Sequence, residues 1–257
     1  MKRIATTLAL LAVCAAPSFA VNLVSETFSY PNGNLVPNGG WANYSGANVD
    51  VQVASGRATG GAIPNNQNDD HILFPAQATT STTYACFDVI IPTFTGTPKP
   101  IYFFSLKDAG AANLVSRVYV VGTPGGWTFG ISHSSTSATV GLTPWPGGPL
   151  VAGQRYNIVV NYNPVAKTST LWVNPTNELS PSVTDANAAI AALAVSGAGL
   201  RQSNSASTLP ASFAGTADWN WSVDNLGVGS TFDDACVTYR TVPTQRSTWG
   251  AVKQIYR

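Results

Sequence analysis

The chain has 257 residues, a formal net charge of +1, and only 10% Asp, Glu, Lys and Arg. One Met and few Glu or Lys stand against many Thr, Val, Asn, Ser and Gly, which argues against a helical protein and against the basic stripe of a nucleic-acid binder. A surface of Ser, Thr, Asn and Gln suits an extracellular β protein better than a cytosolic enzyme.

Residues 1–20 read as an export signal. Lys2 and Arg3 precede the short apolar run "IATTLALLAVCAA", and "PSFA" places Ser18 and Ala20 where a signal peptidase reads small residues. Cleavage after Ala20 leaves a chain beginning at Val21. Cys14 raises the alternative of lipoprotein processing, although Val13 stands where a small residue is expected. No later segment is long and apolar enough to span a bilayer. Charge then divides the remainder: residues 21–237 hold seven Lys/Arg and twelve Asp/Glu, whereas residues 238–257 hold Arg240, Arg246, Lys253, Arg257 and no acid. The expected organisation is a signal peptide over 1–20, one β-sandwich over 21–237 and a basic tail over 238–257.

Strands dominate in chain order. "TYACFDVIIP" (83–92) is rich in strand formers and ends at a proline, and "PIYFFSLK" (100–107) and "LVSRVYVV" (114–121) follow across a turn cluster. "GWTFGIS" (126–132) comes after "TPGG". Arg155–Tyr162 alternates cleanly, with Tyr156, Ile158, Val160 and Tyr162 on one face. "TSTLWVN" (168–174) returns the chain with Trp172 opposite Leu171 and Val173, and "DWNWSVDNLGVG" (218–229) supplies a late strand. Asp185 before "ANAAIAALA" is a candidate cap for a short helix. Many short strands with Gly, Pro and Asn turns mean an all-β sandwich or barrel. Arg117, inside an apolar strand, requires an acid or carbonyl partner, and Asp224 is one candidate. Cys86 and Cys236 survive cleavage; an oxidising compartment favours a bridge between them, the alternative being two buried thiols.

The opening "ETFSYPNGNLVPNGGWANYSGANVDVQVASGRA" resembles the start of jelly-roll domains of the concanavalin A-like lectin/glucanase class, of the LamG-like kind found on exported bacterial proteins. "YFFSLKD", "SRVYV", "GISHSS", "RYNIVVNYNPVAKTSTLWVNP", "LRQS" and "SVDNLGVGSTFDD" are similar in order and spacing to the same group, so the likeness runs over roughly residues 22–235. It implies a two-sheet antiparallel jelly-roll β-sandwich. It implies little about activity, since that architecture hosts hydrolases, lyases, lectins and adhesive modules.

No catalytic residues emerge. Glycoside hydrolysis needs two carboxyl groups across the scissile bond, and the only glutamates, Glu26 and Glu178, are far apart. The Arg-Glu, Gln-x-His and Tyr-rich phrases of alginate-lyase-like jelly rolls are missing. "NNQNDDH" (65–71) offers Asp69 and Asp70 to calcium, which takes about six to eight oxygen ligands, though an extended backbone would send the two carboxylates to different sides. Its plain alternative is a polar loop. Asp224 and Asn225 are a second calcium candidate. His71 and His133 are too far apart to suggest zinc. For sugar stacking the candidates are Trp145, in the Pro- and Gly-rich "TPWPGGP", and Trp219 with Trp221, which share a strand face. Trp172 reads as scaffold. In the tail, Trp249, Val252 and Tyr256 recur at helical spacing, giving either a basic amphipathic end for an anionic surface or a frayed terminus. The expectation is an exported, non-catalytic module that binds glycan or cell-envelope polysaccharide, without a nucleic-acid partner, membrane span or cofactor beyond a possible calcium. A carbohydrate-active enzyme with an unfamiliar site and a purely structural surface protein remain the alternatives.

Overall fold

A computed structural model of the protein describes residues 21–61, 67–93, 100–133, 141–202 and 219–237. The export signal and the basic tail lie outside the described residues. The elements in chain order are β1 (Asn22–Glu26), β2 (Gly33–Asn34), β3 (Trp41–Ser45), β4 (Gln52–Ala54), β5 (Arg57–Gly61), β6 (Asp69–Leu73), β7 (Thr83–Ile90), β8 (Ile101–Lys107), β9 (Leu114–Thr123), β10 (Gly126–Ser132), β11 (Thr143–Pro144), β12 (Arg155–Asn163), β13 (Thr168–Val173), β14 (Ser182–Ala186), β15 (Gly197–Leu200), β16 (Asn220–Gly229) and the one-turn helix α1 (Phe232–Ala235).

The strands form two antiparallel sheets. One has nine strands in the order β14-β13-β12-β7-β16-β5-β4-β2, with β1 also paired to β16; the other has seven in the order β11-β10-β9-β8-β15-β6-β3. The expected two-layer sandwich is therefore present. The expected helix after Asp185 is not. Asp185 lies inside β14, and its carboxylate accepts the His133 backbone N–H at 2.7 Å and the Thr143 hydroxyl at 3.1 Å. Those partners occupy the capping side chain, and past the strand Leu193 packs on the core rim with its N–H donating to the Tyr162 hydroxyl at 2.7 Å.

Alternation fills the space between the sheets. Tyr156, Ile158, Val160 and Tyr162 of β12 all join the main core, as do Val118 and Val120 of β9 and Ala198 and Leu200 of β15. Each large apolar side chain so buried contributes roughly 1.5–3 kcal/mol relative to exposure. Register shifts in β8, between Tyr102 and Phe104 and between Phe104 and Leu106, break strict alternation. They let Phe103 and Phe104 both face inward while Tyr102 turns outward. Glu26 is buried among these side chains. It accepts the Phe28 N–H at 2.6 Å, the Tyr30 hydroxyl at 2.7 Å and the Trp41 indole N–H at 3.0 Å, so it staples β1 to β3 and is not placed as a catalytic acid. Burial and the Glu26 carboxylate push the Tyr30 phenol up to about 12.

On the other side of the nine-stranded sheet, Tyr84, Val159, Trp172 and Phe232 form a second, smaller cluster with Cys86 and Cys236. Trp172 packs edge-on to Phe232 at 5.7 Å, and its indole N–H donates to the Glu178 carbonyl at 3.1 Å. Cys86 and Cys236 are bridged, with Cα atoms 5.2 Å apart and a sequence separation of 150, which ties α1 to the middle of β7. Reduction, or the Cys236→Ser variant, removes a constraint worth about 5 kcal/mol in the chain-entropy treatment of so long a loop. The thermal midpoint should fall by roughly 10–20 °C. Calorimetry with and without reductant measures this, and a non-reduced peptide map should recover the Cys86–Cys236 pair.

Candidate functional site

The outer face of the seven-stranded sheet is unlike an ordinary wet sheet surface. Outward positions of its strands carry Tyr44 on edge strand β3, Asp69 and His71 on β6, Ser105 and Lys107 on β8, and Arg117 and Tyr119 on β9. The strand running through the middle, β15, presents Gly197 and Gly199 there, opposite Lys107 and Ser105. Gly199 is closely approached: a Cβ at that position would lie 3.2 Å from the Tyr44 hydroxyl oxygen and 3.3 Å from Lys107 Cδ, so both side chains would have to shift slightly. Without side chains on β15, the Lys107 stem lies flat across the sheet and reaches the far strand.

Lys107 is fully buried. Its ammonium sits 4.4 Å above the Tyr44 ring centroid and donates to His71 Nδ1 at 2.9 Å and to the Asp108 carbonyl at 2.8 Å. An ammonium can only donate, so His71 Nδ1 is the acceptor and its proton resides on Nε2. The His71 ring stacks on Tyr44 with centroids 5.2 Å apart. Burial first, and the Lys107 charge second, depress His71 to about 4. Burial lowers Lys107 to about 8, partly offset by Asp108.

A second group adjoins this one. The guanidinium carbons of Arg201 and Arg117 lie 4.4 Å and 5.2 Å from the centroid of the same ring, Tyr102, which meets Tyr119 edge-on at 5.6 Å. Arg201 Nε is 3.9 Å from Asp69 Oδ2, and Asp69 Oδ1 accepts the Gln202 N–H at 3.0 Å. Burial raises Asp69 to about 6 against the opposing Arg201 charge. The Tyr44 phenol, buried at its oxygen, is held well above its ordinary value by burial and then by Asp69, with Arg201 and Arg117 pulling the other way. Two hydroxyls of this face, Tyr44 Oη and Ser105 Oγ, are buried without a hydrogen-bond partner among the described residues. The Tyr44 and Tyr102 side chains and Arg201 are half-buried and form its reachable part.

Asp69 thus belongs to a cationic, aromatic cluster and not to a calcium loop. Asp69 and Asp70 are successive residues of β6, and they diverge as an extended backbone requires: Asp70 turns inward, where its Oδ2 accepts the Val51 N–H at 2.8 Å. The two carboxylates do not converge on one ion, and residues 65–66 of the proposed loop lie outside the described residues. The Asp224–Asn225 alternative does not fit calcium either. Asp224 accepts from Arg57 at 3.0 Å, and the Asn225 amide donates to Asp88 at 3.0 Å. Asp224 is therefore the partner of Arg57, not of Arg117. Among the described residues no group of three or more His, Cys, Asp or Glu could hold a metal.

The tryptophan candidates separate. Trp219 and Trp221 do share a face, but it is the inner one: both are buried in the main core, 6.2 and 6.3 Å from Phe103. Strand parity on central β16 removes them as open stacking platforms. Trp221 donates its indole N–H to the Arg201 carbonyl at 3.1 Å and borders a recess of about 290 Å³ with Gln52, Gln202 and Asn220. Trp145 is half-buried against the core rim; its backbone N–H bonds the Phe129 carbonyl at 2.7 Å. No described contact joins it to the Tyr44–Lys107–Tyr102 group. His133 Nδ1 is 2.9 Å from Ser169 Oγ, but Asp185 takes the His133 backbone N–H and not the ring, so no catalytic relay is assembled.

The structure defines an antiparallel β-sandwich with a polar, aromatic outer face. No family model matches the sequence, and no curated protein matches it. Among solved structures, it is similar to a CBM2 module of the evolved Dit of Lactobacillus casei BL23 phage J-1, at 13% identity and a TM-score of 0.51, over 82% of this chain and 96% of that one. It is also similar to a structure described under the cell entry of botulinum neurotoxin type C and its interaction with two ganglioside molecules, at 6% identity and a TM-score of 0.54. That match covers 85% of this chain and 50% of the toxin chain. A sialidase matches at 14% identity and a TM-score of 0.51 over 84% of this chain, which corresponds to 19% of the sialidase. At these identities the likeness is one of fold.

Because His71 is held below its ordinary value of 6.5, its share of stability is whole above about that pH and is lost as pH falls toward 4. Asp69 works in reverse: its share is whole below its ordinary 3.8 and is lost as pH rises through about 6. A proton NMR titration should find the His71 ring neutral at pH 5.5. In a Lys107→Met variant the His71 midpoint should rise, because one of its two depressing causes is gone; an unmoved midpoint would refute the Lys107–His71 contact.

Proposed function

We propose that the protein is an exported, LamG-like β-sandwich module that binds glycan on the outer face of its seven-stranded sheet. One observation carries this reading: three tyrosine rings, Tyr44, Tyr102 and Tyr119, interleaved with the buried or half-buried cations Lys107, Arg117 and Arg201. Keeping three cations and a histidine out of water on a sheet surface is costly, and shifted titration concentrates at functional sites. Rings supply stacking surface for sugars, and the polar side chains between them supply direction. The carbohydrate-binding module and the ganglioside-associated toxin domain, whose folds resemble this one, support a glycan as the ligand class. Asp69 is the one carboxylate among the described strand residues of this face, so the paired acids of glycoside hydrolysis are not assembled there, which favours binding over turnover. The signal-like residues 1–20 and the Cys86–Cys236 bridge support export to an oxidising compartment.

A glycan array tests the reading. The wild-type chain should retain at least one polysaccharide, and Tyr102→Ala should weaken that binding by about tenfold, the loss of a stacked ring, while the circular-dichroism spectrum stays the same. Binding that survives Tyr102→Ala would move the site elsewhere. For export, N-terminal sequencing of the secreted protein should begin at Val21, and an intact Met1 would refute the signal.

A further inference from the structure

We infer that the recess bordered by Trp221 is a second saccharide site, one that takes a neutral sugar and works independently of the tyrosine-bearing face. The first ground is how the strands make the recess. At a corner of the nine-stranded sheet β5 outruns β4: their last pair is Gln52 with Thr59, whereas Gly60 and Gly61 continue and pair with Trp221 and Asn220 of β16. The notch left there has a volume of about 290 Å³, near the lower bound of about 300 Å³ for ligand clefts. Gly60 is bare because a Cβ at that position would collide with the Trp221 indole. The buried Trp221 and Gln202 side chains close the back of the recess, and Gln52, Thr59, Asn220 and Pro92, all exposed or half-buried, form its reachable mouth.

The second ground is the hydrogen-bonding capacity of that mouth. The Gln52 amide nitrogen gives its protons to Asn34 Oδ1 at 2.9 Å and to the Asp50 carbonyl at 2.8 Å, so Gln52 Oε1 is left to accept. The Thr59 hydroxyl gives its proton to the Gln52 carbonyl at 3.2 Å and keeps a lone pair. The exposed Asn220 amide makes no hydrogen bond to another described residue, and it can both donate and accept. Acceptors fixed beside an open amide suit a small ligand that donates and accepts on one frame, as adjacent sugar hydroxyls do. Charge selects against the ions. None of the described lining residues is ionised. The neighbouring Arg57, which donates to Ser222 Oγ at 2.6 Å, is already committed to Asp224 at 3.0 Å. An anion therefore meets no open cation there, and an ammonium meets no open carboxylate.

The test titrates the full isotope-labelled chain, followed by NMR, with oligosaccharides of glucose, mannose and galactose as neutral probes and with polygalacturonate and spermidine as the anionic and cationic controls. At least one neutral probe should shift the side-chain amide signals of Asn220 and Gln52. Asn220→Ala and Thr59→Val should each weaken that binding by about three- to tenfold, one lost hydrogen bond. Neither should move the thermal midpoint much, because the Asn220 side chain is exposed and Val is a good strand former. Should Thr59→Val disturb the fold, Asn220→Ala decides alone. Tyr102→Ala should leave the binding unchanged. A neutral-sugar response lost in Tyr102→Ala, or indifferent to both recess variants, overturns the recess and leaves the tyrosine face standing. Silence of the two amide signals toward every neutral probe overturns it as well, whatever the face binds. Polygalacturonate or spermidine moving those signals more readily than the sugars overturns the neutral ligand. A response confined to the recess, with no glycan lost in Tyr102→Ala, supports the recess and removes the face.

Discussion

Period two is the constraint under which the rest of this molecule operates. In a sheet with one face in a core, each side chain is either inside or outside, and a one-residue shift exchanges the two sets. Ala198 and Leu200 of β15 are inside, so Gly197 and Gly199 are outside, and that bare track lets Lys107 cross to His71 and Tyr44. The two register shifts in β8 are as consequential. They turn Tyr102 outward to Arg117 and Arg201 while Phe103 and Phe104 both enter the core. The cationic face is thus produced by the same backbone geometry that packs the interior.

The two outer faces of the sandwich handle charge differently. On the nine-stranded sheet, Asp88 and Asp224 face each other across β7 and β16, an unfavourable pair answered by Arg57 at 3.0 Å from Asp224 and by exposed Arg155 at 4.0 Å from Asp88. That face is balanced. Farther along the same side, Trp172, Tyr84 and Phe232 are closed over by α1, and the Tyr84 hydroxyl donates to Glu178 at 2.5 Å. The seven-stranded sheet instead sets Lys107, Arg117 and Arg201 against aromatic rings, which softens the cost of their burial. That stacking of cations on rings, more than any one residue, distinguishes this surface.

Much of the fold was legible because alternation and turn chemistry are local. Arg155–Tyr162 named its own dry face, and the strands at 83–92, 100–107 and 114–121 appear near their expected bounds. The helix after Asp185 failed because alanine propensity is a weak signal beside the His133 and Thr143 bonds that hold Asp185 in β14. The site was harder to see. Trp219 and Trp221 obeyed the two-residue rule, but parity cannot say which face is inner without knowing that β16 is central. Asp69 was singled out for calcium from its near neighbours in sequence, whereas its partners in space, Arg201 and the Gln202 N–H, are far along the chain. Tyr44 on β3, Tyr102 and Lys107 on β8, and Arg201 after β15 join only once the order β9-β8-β15-β6-β3 is known. The usable signal was faint: the alternating glycines of "GAGL" and the tyrosines and cations on otherwise apolar strands.

The cystine has a mechanical consequence. Val237 follows directly on Cys236, so tension arriving from the C-terminal side is delivered through sulfur to Cys86, inside β7. Strand β7 is flanked by β12 and β16 along most of its length. Such a load has to shear two full ladders at once instead of peeling one edge strand bond by bond, and the opposite layer, with its tyrosines, stays out of the force path.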